Sequence, residues 1–489
     1  MTSALELRRG TYRDSVTLMQ VSRAVGAAEG VDSAFIAMAT ELNLGLLAGM
    51  GFEVPDGAGP NDMVVAIRAA DGEALRRAGQ HLDEALAAAA APAAAGGACP
   101  GPVPRTADAA PGATLALISV AGPYVFAEAM GALEAGLDVM VFSDNVPVAH
   151  EILLKDRARE RGLMVMGPDC GTAVIGGAGL GFANAVRPGR VGIVAASGTG
   201  SQQLMCLLHA GGAGVSHCVG VGGRDLSEAV GARSTLQALE LLDDDPATDL
   251  IVVVSKPPSP AVAQKVAQYA AGLSTPVLLA LLGRGQDDLT LSAAKALAAL
   301  GEDRPDEWPS WIPDRPRSAR RGALRGLYCG GTLCDEAMVI AADTLGPIAS
   351  NIPLEPGWSL PADLRADGHY MIDFGDDGLT AGRPHPMIDP GLRLERLAEV
   401  LADPATGAVL LDVVLGHGAH PDPAAGLAEV IRAAGPEAPP VVVSLCGTDQ
   451  DSQGLDAQAR TLVSARAEVH LSNASAARRA VSLTKDQPS

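Results

Sequence analysis

Aromatic side chains are scarce in this 489-residue chain, at 3% of the total, so its cores must be built from Ala, Val and Leu. Positive charge is also short. Lys and Arg number 36 against 57 Asp and Glu, a formal net charge of −21. A general binder of phosphate backbones needs clustered Lys and Arg, so nucleic acid is excluded as a partner. Acidity of this degree suits a soluble, cytoplasmic protein. No apolar run reaches membrane-spanning length. The opening MTSALELRRGTYRDS lacks the apolar core of a secretion signal. The seven cysteines (Cys99, Cys170, Cys206, Cys218, Cys329, Cys334, Cys446) are odd in number and form no C-x-x-C pair. A reduced compartment and no metal site are the simplest expectations.

What is present is ample apolar material, 48% of residues, and a length that suggests about three domains. The chain is organised around Val191–Gly212, VGIVAASGTGSQQLMCLLHAGG. VGIVAA reads as a buried strand. Leu204, Leu207 and Leu208 fall at helical spacing behind it. The intervening Ser197-Gly198-Thr199-Gly200 allows a sharp turn, a capped helix and close approach of an anion to backbone N–H groups. A plain capped corner explains the same letters, since short glycine loops are weak signals.

Around this stretch the chain divides as follows. Residues 1–90 predict a small α+β domain, ferredoxin-like, with strands at 31–38 and 62–67 and helices at 15–26 and 72–88. Its Arg8, Arg9, Tyr12, Arg13 and Asp14 read as a solvated edge. Residues 91–113, dominated by Ala, Pro and Gly, are a linker. Residues 114–190 alternate strand and helix as a Rossmann-like parallel unit. Residues 191–300 repeat the pattern in a flavodoxin-like unit. Residues 301–321, rich in Pro and charge, are a second linker whose Trp308 and Trp311 should pack across a domain boundary. Residues 322–489 supply a third α/β region. The fold class is α/β. Ligands of such sheets sit off the carboxyl ends of the strands. There lie Asn145, Asp169-Cys170, Gly222-Gly223-Arg224, Lys256, Gly330-Gly331-Thr332 and the loop Gly416-His417-Gly418-Ala419-His420.

The order of these loops carries a resemblance. From Thr114 to about Gly283 the chain resembles the α subunit of succinyl-CoA synthetase, through the SGT loop, GPDCGTAVI, CVGVGG and DNVPV. From Asp373 onward it resembles the carboxyl domain of that enzyme's β subunit. Fused behind a small N-terminal domain, with RGTYRDSVTLM and LDVVLGHGAHPDP, the chain looks like a member of the FdrA family. In the synthetase, two helix N-termini face one another and hold the phosphate of a phosphohistidine. The resemblance therefore implies that Ser197–Gly200 and Gly416–His420 are two halves of one anion site. Two helix dipoles aimed at one point stabilise a doubly charged group without a basic side chain.

The departures restrict the chemistry. The relatives' Gly-His-Ala-Gly loop is replaced by Arg284-Gly285-Gln286-Asp287-Asp288, with no histidine until His369. The histidine's glutamate partner is replaced by Ser255-Lys256-Pro257-Pro258. The glycine-rich CoA fingerprint and the ATP-grasp domain are missing. No cofactor is expected with certainty and CoA binding is doubtful. Phosphate is the expected co-substrate, with a small carboxylate or ureido acid. The FdrA resemblance implies an oxamate carbamoyltransferase component of purine and allantoin nitrogen catabolism. Such a component converts oxalurate and phosphate to oxamate and carbamoyl phosphate, in an oligomer with partner subunits. An acyl-CoA ligase with an unusual carrier and a non-catalytic scaffold or sensor are the alternatives.

Among single residues, His417 and His420 are the candidates for acid–base work. Arg224 and Lys256 are the candidates for charge neutralisation, and Gly330-Gly331-Thr332 for a third anion contact. Cys170 reads better as a small buried thiol than as a nucleophile. Asp373, Asp376 and Asp377 read as a cap or solvated turn before a metal site.

Overall fold

A computed structural model describes all residues except 1, 12, 14, 29, 56, 60, 91–109, 111, 304, 381–382 and 485–489. The expected first linker, Tyr12, Asp14 and Cys99 thus fall wholly or largely outside the described residues. The chain divides into two compact units, Met1–Pro102 with Gly378–Pro384, and Val103–Asp377 with His385–Ser489.

The first unit holds β1 (Thr2–Arg8), α1 (Ser15–Gly26), β2 (Val31–Met38), α2 (Glu41–Gly49), β3 (Met63–Ala69) and α3 (Gly72–Ala90). Its sheet runs β1-β3-β2, antiparallel throughout. Leu18, Val21 and Val25 of α1 and Ala78 and Leu82 of α3 pack on Ile36, Val65 and Ile67. β1 and α2 escape sequence reading. β1 is largely exposed, so its apolar signal is thin.

The second unit opens with β4 (Leu115–Ile118), α4 (Gly122–Glu134), β5 (Asp138–Val141), α5 (Val148–Glu160) and β6 (Val165–Met166). These strands form a three-stranded parallel sheet in the order β4-β5-β6. Then come β7 (Thr172–Ile175), β8 (Ala178–Gly181), β9 (Pro188–Ala196), α6 (Gly198–Ala210), β10 (Val215–Gly220), α7 (Arg233–Asp243), β11 (Leu250–Ser255), α8 (Pro260–Ala270), β12 (Val277–Leu281) and α9 (Leu289–Ala299). They build a six-stranded sheet, β12-β11-β9-β10-β7-β8. The hairpin β7–β8, assigned from sequence to the 114–190 piece, pairs with β10 of this sheet instead.

The remainder is β13 (Ser310–Trp311), β14 (Ala323–Tyr328), α10 (Gly331–Leu345), β15 (Ala349–Ser350), β16 (Tyr370–Asp373), α11 (Asp377–Thr380, of which only Asp377 belongs to this unit), α12 (Gly391–Ala402), β17 (Thr406–Val414), α13 (Pro423–Ala433), β18 (Val441–Cys446), α14 (Leu455–Ser464), β19 (Glu468–His470) and α15 (Asn473–Leu483). The sheet order is β13-β19-β18-β17-β14-β16-β15. The stretch read as a second linker therefore carries an edge strand. β13 pairs with β19, Trp308 and Trp311 pack on the main core, and buried Arg317 donates to three backbone carbonyls.

The parallel strands of these two large sheets follow flavodoxin-like orders. In the first, β10-β9-β11-β12 reads 2-1-3-4. In the second, with the two-residue parallel edge strand β15 set aside, β16-β14-β17-β18-β19 reads 2-1-3-4-5. Each sheet therefore has a switch point beside its first strand, where a crevice opens at the carboxyl ends. One core runs through both, joining Leu204 and Leu207 of α6 to Leu333 and Ala337 of α10 and to Ala476 and Ala480 of α15.

Candidate functional site

The switch point of the six-stranded sheet lies between β9, which ends at the Ser197 loop, and β11, which ends at Lys256. Ser197 caps α6, its Oγ accepting from Gly200 N at 3.0 Å. The same hydroxyl donates to Thr332 Oγ1 at 2.7 Å. Thr332 stands in the first turn of α10, so two helix N-termini meet through their hydroxyls. The fit is tight. A Cβ at Gly330 would lie 2.7 Å from Thr199 Cγ2, and one at Gly200 2.9 Å from Thr332 Cγ2. The dipole partner of α6 is thus the Gly331 helix, not the Gly416 loop expected from sequence.

Lys256 completes the cluster with buried carboxyls. A Cβ at Gly331 would lie 3.1 Å from Lys256 Nζ and 2.6 Å from Asp373 Oδ2. Burial pulls the Lys256 ammonium down, but Asp335, Asp373, Asp169 and Asp376 outweigh it and leave it above the ordinary lysine value. Burial pushes Asp373 up to about 7, with Lys256 opposing. Asp335 rises to about 6 for the same reason. Near neutrality these acids hold part of a proton each. The pocket is therefore less negative than its carboxyl count suggests, which is what an anion at the helix ends requires.

The other sequence candidates divide into neighbours and outliers. Gly222 and Gly223 close on the Gly167–Cys170 loop, with Asp169 Oδ2 3.4 Å from a Cβ at Gly223. Desolvation pushes Asp169 up, and Asp169 keeps a solvent-exposed edge that partly screens it. Arg224 is already engaged, donating to Val146 O at 2.8 Å and pairing with buried Glu151 at 3.0 Å. Asn145 is exposed beside it at a positive φ. Cys170 is buried and its thiol is pushed far up by desolvation, as a small core thiol should be.

The Gly416–His420 loop opens no helix, because α13 starts at Pro423. His417 N donates to Ala183 O at 2.8 Å, and its exposed ring lies near Gly179. His420 N donates to Met387 O, and its Nδ1 accepts from Asp422 N at 3.0 Å. Gly418 packs beside Phe182. Among the described residues, no hydrogen bond joins either histidine to Ser197, Thr332, Lys256 or Asp373.

Three site residues escape sequence reading. Asp335 lies one turn into α10. Asp412, on β17, accepts from Cys329 N at 2.8 Å and Gly330 N at 2.9 Å, fixing the turn that opens α10. It was legible as the lone carboxylate in AVLLDVV. Buried Arg393 pairs with it at 3.3 Å. His385 stacks on Phe182 with ring centroids 5.3 Å apart and accepts from Met387 N at Nδ1. Only its position after Asp376-Asp377 hints at the site.

Comparison with known proteins fixes the family. The chain is 39% identical over 491 residues to YahF of Escherichia coli K12, covering 95% of each chain. The chain belongs to the YahF family. Residues 1–100 match the heavy metal-associated domain of AllF, and residues 327–483 match the CoA-ligase family. The α subunit of malate–CoA ligase from Methylorubrum extorquens is 29% identical over 35% of this chain and 58% of its own length. An Archaeoglobus fulgidus succinate–CoA ligase α subunit is 32% identical over 29% of this chain and half of its own. This YahF-family chain thus spans about half the length of those ligase subunits and is related to the acyl-CoA ligases, which are enzymes. No helix among the described residues is long and apolar enough to cross a membrane.

The domain name of residues 1–100 implies a heavy metal, but the donors do not fit one. Residues 1–100 contain one cysteine, Cys99, which lies outside the described residues, and one histidine, His81, and no cluster of metal-binding side chains occurs among the described residues. The relatives' names imply CoA. In this chain Gly122 of the β4–α4 turn packs against the Asp144–Asn145 backbone, where a Cβ would lie 2.4 Å from Asn145 O.

Proposed function

We propose that this chain is a subunit of an acyl or carbamoyl transferase of the FdrA type, exchanging the group between a nitrogen and phosphate. The reaction is oxalurate plus phosphate giving oxamate plus carbamoyl phosphate, in cytoplasmic purine nitrogen catabolism with partner subunits. The observation that carries this reading is the meeting of α6 and α10 through Ser197 and Thr332, with Lys256 beside them. Oriented N–H dipoles and one ammonium suit the developing charge of a phosphate attacking an acyl carbon. β12 is followed by Arg284–Asp288 and α9, with no carrier histidine, so direct attack by phosphate is the economical route.

The complex isolated from its native cells, given oxalurate and phosphate, should form carbamoyl phosphate. Ser197→Ala removes the cap and the bond to Thr332, and should raise the KM for phosphate about tenfold or more. Absence of carbamoyl phosphate would sink the proposal. The match of residues 327–483 to the CoA-ligases favours a second reading, acyl-CoA ligation through an unusual carrier. Radiolabel from the γ-phosphate of ATP, retained on the chain after denaturation, would select it.

A further inference from the structure

Asp373 has a geometry that a turn residue does not need. Its backbone is pinned from both sides by Asn351, whose Oδ1 accepts from Asp373 N and whose Nδ2 donates to Asp373 O, each at 2.9 Å. Oδ1 accepts from Gly375 N at 2.9 Å, which satisfies the turn. Oδ2 accepts no hydrogen bond from any described residue, although the side chain is buried. It lies against Gly331, at the N-terminus of α10, where the absence of a side chain lets Oδ2 and Lys256 Nζ both approach the backbone. On the other flank, a Cβ at Gly375 would lie 3.2 Å from Asp373 Oδ1 and 2.7 Å from His385 Nε2. Since His385 Nδ1 accepts from Met387 N, its neutral ring carries the proton on Nε2 and can only donate there.

We propose that Asp373 is the proton shuttle of this site, working through Oδ2 on the side of the Lys256 ammonium, with the His385 Nε2–H on its Oδ1 flank. This rests on the transfer reading above. Phosphate oxygen attacks the carbamoyl carbon, forming the C–O bond, and its proton passes to Asp373. The C–N bond then breaks with its electron pair on nitrogen, and Asp373 returns the same proton to that nitrogen. No oxidant, reductant or further proton is needed. Lys256 holds the phosphate charge, and His385 Nε2–H faces the other side of the carboxyl.

The groups facing Asp373 are Lys256 beyond β11, Cys334 and Asp335 on α10, Cys329 at the end of β14, Asp412 on β17, and His385. Burial pulls His385 down to about 4, so it stays neutral through the working range. Asp373 is held near 7, where a group that must take and return a proton is most effective.

The test compares the wild-type complex with an Asp373→Asn complex, oxalurate and inorganic phosphate being the substrates. The substitution should lower kcat by about 10²- to 10⁴-fold, the span of general acid–base catalysis. The KM for phosphate should change little, and the ascending limb of kcat near pH 7 should vanish. In the isolated full chain, infrared difference spectra should show a carboxylic acid band that titrates near pH 7 and is absent from Asp373→Asn. Wild-type turnover with Asp373→Asn within threefold of it and the limb intact overturns the shuttle but not the transfer reading. So does absence of the carboxylic band. No turnover by the wild-type complex overturns the transfer reading, and the shuttle with it.

Discussion

At the residue scale, Asp373 carries a cost in stability that follows from its burial. An ordinary aspartate titrates near 3.8, and Asp373 is held near 7. As pH rises, the unfolded chain therefore releases this proton first. The group's contribution is full below about pH 3.8 and is lost as pH rises through about 7. A difference of about three pH units sets an upper bound of about 4 kcal/mol. Asp373→Asn keeps an acceptor for Gly375 N and removes the buried charge. Its stability relative to wild type should be nearly unchanged at pH 4 and increase by up to a few kcal/mol at pH 8, measured by urea denaturation at each pH. A destabilised variant at pH 8 would show that the Lys256 attraction outweighs desolvation. A residue that costs stability while its neutral isostere does not is a mark of a functional site. Little of this is legible in the letters. IDFGDDG reads as a polar turn after a strand, and its burial comes from α10 and Lys256, distant in sequence. His417 and His420 stand out as histidines in a glycine loop, whereas His385 sits in PHPMIDP, where no period or spacing singles it out.

At the scale of elements, Val191–Gly212 was readable because each local signal agreed: a buried strand run, a capping serine and helical leucines. The helix opposite it was not. Gly330 and Gly416 follow β14 and β17, which flank one switch point, and both are glycine turns. Sequence cannot choose between them when the choice depends on which one a hydroxyl from another sheet can reach. The Ser197–Thr332 contact makes that choice. Asp412 then holds the chosen turn in place. Asp412→Ala would leave Cys329 N and Gly330 N without their acceptor, and Arg393, 4% exposed at its side chain, without its carboxylate partner. Breaking a buried pair in this way costs roughly 3–5 kcal/mol. The denaturation midpoint should fall accordingly, while Arg393→Met with Asp412→Asn should recover much of the loss. A shift no larger than that of a surface substitution would mean that the turn holds itself.

At the scale of the whole molecule, the repeated βα pattern suggested separable domains, and the side-chain packing does not respect those divisions. The main core takes Val174 and Phe182 from beyond the first parallel sheet, Leu204 and Leu208 from α6, Leu333 and Met338 from α10, and Leu471 and Ala477 near the C-terminus. Polar links cross the same divisions. Asn184 donates to Leu415 O and Asp451 Oδ2, each at 2.9 Å, and Gln203 donates to Leu471 O at 3.0 Å. Lys155 bridges Glu151 and Asp225 at 2.7 Å each, tying α5 to the turn after β10. Residues 1–90, by contrast, have clusters of their own around Val25, Ile67 and Leu82 and around Leu47 and Val64. A fragment of residues 1–90 should therefore unfold cooperatively on its own. A fragment of residues 322–489 should not, because it would expose the α10 and α15 faces that α6 and α9 cover. Calorimetry of the two fragments checks this, with residues 103–489 expected to show one transition. A sharp transition from residues 322–489 alone would show that the third sheet is a domain in its own right. The site between α6 and α10 would then lie at a joint able to open, rather than inside one continuous core.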